Sequence, residues 1–125
     1  MFYIDNSGGI HITRGDSVTL ATDIYIGIGE NELLELSESD CVIFTVRSKN
    51  SGELKIKRIL TADNYENGEL VLCIAAEETL ITPAKYDYSF LYLPDREMPH
   101  EQAFTYALGD FEVMHSVTTY KDSEG

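Results

Sequence analysis

The chain has 125 residues, enough for one domain with its own apolar core and too few for two of ordinary size. Nine Lys and Arg against 22 Asp and Glu give a formal net charge of −13, which disfavours binding to phosphate backbones or to an anionic membrane surface. Two cysteines, Cys41 and Cys73, are too few for a disulfide framework; they read as small, half-buried hydrophobes, and whether they pair is left open.

In chain order, residues 1–9 carry no basic stretch ahead of an apolar run, and no segment has the length of a membrane-crossing helix, so synthesis and folding in the cytoplasm are expected. The hydrophobic period from there on is two, the signature of strands with one buried face. A short strand at 10–13 turns at Arg14-Gly15-Asp16 into a longer one at 18–26. A loop rich in Gly, Glu and Asn follows at 27–32, then a brief strand or extended segment at 33–36. Val42, Phe44 and Val46 alternate with Ile43, Thr45 and Arg47 in a strong strand at 41–47. A hairpin loop at 48–52 leads to a strand at 54–60, and a turn at 63–68 to another at 69–75. Ala76-Glu77-Glu78-Thr79 is too short for an independent helix and Pro83 stops it, so one helical turn near 76–81 is predicted. Tyr86, Tyr88, Phe90 and Tyr92 alternate through the longest strand, 85–93. After a loop at 94–101, strands at 104–108 and 111–117 flank a Gly109-Asp110 turn, and the tail from about 119 is expected to fray.

Short strands punctuated by turns, without alternating helices, predict an all-β fold: an immunoglobulin-like antiparallel β-sandwich of about seven to nine strands. Tyr86, at the end of Thr82-Pro83-Ala84-Lys85-Tyr86 and near the start of the longest strand, suits a tyrosine corner, in which the ring is buried and the hydroxyl finds a backbone acceptor. The alternative is one more core aromatic. Tyr88 stands where the second cysteine of an antibody domain would be.

Four segments in order resemble the immunoglobulin-like N-terminal domain of phage baseplate upper proteins. They are Arg14-Gly15-Asp16-Ser17-Val18-Thr19-Leu20, a glycine-aspartate turn into a strand, and Leu36 through Arg47, a turn before a strand ending in a basic residue. Gly68-Glu69-Leu70-Val71-Leu72, with Glu78-Thr79 and then Pro83-Ala84-Lys85-Tyr86-Asp87-Tyr88, is the third, and Leu108-Gly109-Asp110-Phe111-Glu112-Val113 the last. Ala84 departs from the glycine usual in that family after the proline. The resemblance implies a structural module of a phage or prophage tail, without catalytic centre or cofactor. Its implied partners are other tail or baseplate proteins and further copies of itself, and its implied location is the virion tail after assembly.

The constellations that carry chemistry are sparse. His11, His100 and His115 have no ligand spacing, so no metal site is expected; His115 is in phase with Phe111 and Val113 and reads as a tucked or edge residue. Asp63, Glu66, Asn67 and Gly68 are oxygen-rich, but Tyr65 and Ile74 break the EF-hand pattern, leaving a solvated turn with adventitious calcium open. Gly27-Ile28-Gly29 lacks the third glycine of a dinucleotide loop. Tyr25, Tyr65 and Tyr106 are candidate interface or ligand aromatics. Two rival functions follow, a carbohydrate-binding sandwich using those tyrosines and, ranked last, a small hydrolase with a carboxylate pair.

Overall fold

Alternation builds the core directly. In the strand Cys41–Ser48 the side chains of Val42, Phe44 and Val46 are fully buried while Arg47 is exposed between them and the next turn. In Ala84–Leu93 the buried set is Tyr86, Tyr88, Phe90 and Tyr92. The computed structural model describes residues 1–26, 32–94 and 103–124. Among these it contains β1 (Phe2–Ile4), β2 (Ile10–Thr13), β3 (Val18–Thr22), β4 (Ile24–Ile26), β5 (Glu32–Leu34) and β6 (Cys41–Ser48). They are followed by β7 (Leu54–Leu60), β8 (Tyr65–Glu66), β9 (Glu69–Ile74), β10 (Ala84–Leu93) and β11 (Phe104–Met114). The only helical pieces among the described residues are 3₁₀ turns at Ala62–Asn64, Ala76–Thr79 and Tyr120–Glu124. The fold is all-β.

A large sheet runs in the order β1-β2-β11-β10-β6-β7, a small one in the order β3-β9-β8, and β4 pairs with β5 alone. Alternate residues of the large sheet and of β3, β4 and β9 share a single core. Aromatics fill its middle, with Phe44 packed against Phe90 at 4.8 Å and Phe111 at 6.3 Å between ring centroids. Among the described residues every pairing is antiparallel except β11 with β2, which is parallel and aligns Phe111 with Ile10 and Val113 with Ile12. The sandwich is therefore mixed rather than purely antiparallel.

Several predicted boundaries move. The strand expected over 18–26 changes partner at Asp23, from β9 to β5, without losing its alternation. The expected turn at Gly109-Asp110 is absent: β11 continues through it, with Gly109 opposite Tyr88. β1 and β8 were not predicted, which brings the described strands to more than the seven to nine expected. The tail forms a 3₁₀ turn closed by Thr119 N–H donating to Asp122 Oδ2 at 2.8 Å. The turn expected at 63–68 is a capped 3₁₀ turn followed by a two-residue hairpin in which Asn67 (φ 52°) and Gly68 (φ 82°) both take positive φ. Of the loops expected at 27–32 and 94–101, residues 27–31 and 95–101, with the Gly27-Ile28-Gly29 motif and His100, lie outside the described residues, and Glu32 begins β5.

Candidate functional site

The strand register lays out the outer face of the large sheet in rows. Tyr3, His11, Glu112 and Lys85 form one row across β1, β2, β11 and β10. Asp110, Asp87, Arg47 and Leu54 form the next, from β11 to β7. Leu108, Ser89, Thr45 and Lys57 follow, then Thr105, Leu91, Ile43 and Ile59. The first two rows are charged and cross-linked. The last two are apolar and hydroxylic apart from Lys57 at the β7 edge, and Leu108 (71% exposed) and Ile59 (53%) stand well out of the surface. A hollow of about 340 Å³ lies over Ile43, Arg47, Leu54, Lys57 and Leu91, and none of the described residues lining it is acidic. In so acidic a chain that is the distinctive feature of this face.

Two ion clusters lie on this face, one beside the hollow and one at the β1 end of the sheet. Asp87 and Asp110 sit directly opposite each other, a pairing that alone would repel. Lys49, from the β6–β7 turn, donates to both, at 2.6 and 2.7 Å. Its hydrogen bond to Asp110, then that to Asp87, raises the Lys49 pKa, and the same contact lowers that of Asp110. A carboxyl held ionised in this way is the wrong acid for donating a proton near neutrality. At the β1 end, His11 lies flat on Tyr3, centroids 4.4 Å apart and planes 9° apart. Its Nδ1 is 2.7 Å from Glu112 Oε1 and its Nε2 is 2.6 Å from Asp5 Oδ2. The His11 pKa is raised, first by Asp5 and then by Glu112. Asp5 is lowered by His11 and by the backbone N–H groups of Gly9 and Ser7. The imidazole nitrogens point to opposite sides, so the three groups do not converge on a common centre, and among the described residues no three His, Cys, Asp or Glu side chains are placed to hold a metal.

The predicted site residues separate. The Tyr86 ring is buried and its hydroxyl donates to the Thr82 carbonyl at 2.5 Å, closing the corner four residues upstream. Tyr25 is 47% exposed and is the cross-strand partner of Leu33. Tyr65 and Tyr106 are turned inward instead. The Tyr65 hydroxyl accepts from Leu36 N–H at 3.0 Å. Tyr106 packs its ring on Phe90 at 5.6 Å and shares a 3.0 Å hydrogen bond with Thr22, and burial pushes its hydroxyl up to about 12. Both are half-buried against the core; for Tyr106 a bulge in β11, opposite Phe90 and Leu91, accounts for its turn inward. Cys41 is buried in the large sheet and Cys73 is exposed on the small one, and neither is in a disulfide. His115 lies past the end of β11 and is exposed rather than tucked. In the 63–69 segment the Asn64 side chain folds back to accept from Thr61 N–H at 2.9 Å.

Sequence reasoning missed the His11 and Lys49 clusters, since their members are up to 101 residues apart and meet only through strand pairing. It also missed Thr79, which is fully buried. Its hydroxyl accepts from Gly15 N–H at 2.9 Å and lies 2.8 Å from the Asp16 carbonyl, pinning the β2–β3 turn to the 3₁₀ turn before β10. Among the described residues no helix is long and apolar enough to cross a membrane. No protein-family model and no curated protein matches the chain.

Proposed function

We propose that the chain is a non-catalytic structural module of a phage or prophage tail or baseplate that works by protein–protein assembly. The observation that carries this reading is the outer face of the large sheet. Apolar residues stand exposed on a rigid scaffold, ringed by hydroxyls and cations, and a protein partner can bury them while the Lys49 cluster marks one edge. The ordered likeness of four segments to the baseplate module adds the biological setting. In that setting the chain folds in the cytoplasm and ends in the virion tail, with no nucleic acid or membrane as partner. A glycan platform is less well supported, because Tyr65 and Tyr106 commit their hydroxyls inward.

Co-expression with the proteins encoded beside it tests the reading. Tail or baseplate proteins should co-purify with the tagged chain, and Leu108→Glu should reduce their recovery without changing its fold. Neighbouring genes without tail components, or recovery of none of their products, would count against it.

A further inference from the structure

Charge is segregated along this chain. Residues 15–46 hold seven acids and no Lys or Arg, whereas residues 47–58 hold five bases and one acid, Glu53. Folding carries the division to the surface. The basic stretch runs from the end of β6 through most of β7, and strand pairing sets its Arg47 and Lys57 beside Ile43, Leu54 and Ile59 on the outer face of the large sheet. The acidic stretch makes β4 and β5. There Ile24 and Leu34 turn toward the core, while the cross-strand pair Tyr25 and Leu33 stands outward, 47% and 52% exposed. Exposed Asp23, Glu32 and Glu35 flank that pair. β3 runs into β4, and the narrow cleft behind the hairpin is shared with Tyr65 and Leu70, so the hairpin belongs to the side of the small sheet.

We propose that the β4–β5 hairpin of one copy docks on the outer face of β6–β7 of a second copy, head to tail. This rests on the assembly reading above and names a second copy of the chain as partner. Tyr25 and Leu33 supply the apolar pair for the hollow, and Asp23, Glu32 and Glu35 meet Arg47 and Lys57. Two bodies of net charge −13 repel in most orientations, so the arrangement that joins the basic face to the acidic hairpin is selected electrostatically. Donor and acceptor surfaces are different and lie on opposite layers, so each copy offers both at once. The contact is heterologous, and repetition closes a ring or extends a filament.

Sedimentation velocity across a concentration series tests this. The wild-type chain should self-associate, and added salt should weaken the association. Lys57→Glu, on the face, and Leu33→Asp, on the hairpin, should each weaken it about tenfold or more. Mixed together, the two variants should form a 1:1 dimer that grows no further, since one intact hairpin then meets one intact face. A wild-type chain that stays monomeric, an assembly that survives both substitutions, or a mixture of variants that stays monomeric would each overturn the inference. Thermal melts establish that the variants fold, and Arg47→Ser with Tyr25→Ser replace any that do not. Tail-protein capture separates this inference from the reading beneath it. Capture without self-association refutes only the head-to-tail contact, and self-association without capture refutes only the tail assignment.

Discussion

Both ring nitrogens of His11 face carboxylate oxygens, and only the imidazolium has two N–H groups to donate to them. The folded pKa is raised above the ordinary value of 6.5, so the stabilisation is fully present below pH 6.5 and is lost as pH rises through the raised value. On the acid side, Asp5 is lowered from 3.8, so its share is present above pH 3.8 and is lost as pH falls through the lowered value. We expect the melting temperature to decline above pH 6.5 and His11→Gln to flatten most of that decline, as read by calorimetry at a series of pH values. Thr79 acts differently, since a buried hydroxyl that satisfies a backbone N–H leaves that donor orphaned when removed. Thr79→Val, nearly the same in shape, should cost about 1–3 kcal/mol in denaturant unfolding. Tyr86 was legible beforehand because its partner is four residues away and the strand following Pro83 announces the corner. His11 was not, because half of its surroundings comes from the far end of the chain.

At the scale of elements, β6 and β10 were legible because each buries one face completely, which imprints an unbroken period of two. The break between β3 and β4 was not, since Val18, Leu20 and Ile24 keep the same parity while the strand exchanges one partner for another. Gly109 shows local preference overridden by packing. Gly-Asp reads as a turn, yet here it lies in mid-strand because the ring of Tyr88 covers it. A Cβ at Gly109 would stand 3.0 Å from Tyr88 Cε2. Tyr88 has little room to yield, because its hydroxyl donates to the Gly8 carbonyl at 2.6 Å. Gly109→Ala should therefore cost about 1–3 kcal/mol, with the loss appearing in denaturant melts, while alanine at an exposed strand position should be nearly neutral.

For the whole molecule, a net charge of −13 sets fold and assembly in opposition. Self-repulsion destabilises the compact monomer, and screening relieves it. Raising ionic strength to about 0.2 M should raise the melting temperature of the dilute monomer by a few degrees. The same salt should weaken the head-to-tail contact, so calorimetry and sedimentation should respond in opposite directions. The outer face itself could not be read from sequence, because its rows exist only once β11, β10, β6 and β7 are in register.

The parallel seam between β2 and β11 has a consequence for how the protein is made. β11 lies inside the large sheet, between the strand that opens the chain's core and the strand that precedes it in sequence. Ile10 leaves the ribosome 101 residues ahead of its neighbour Phe111 and must wait for it. Until then β1 and β2 have no place to dock, and an unpaired β10 leaves a sticky edge. A nascent chain halted before β11 should be cut readily by protease, and one released beyond Met114 should resist, so closure of the large sheet waits on the synthesis of β11.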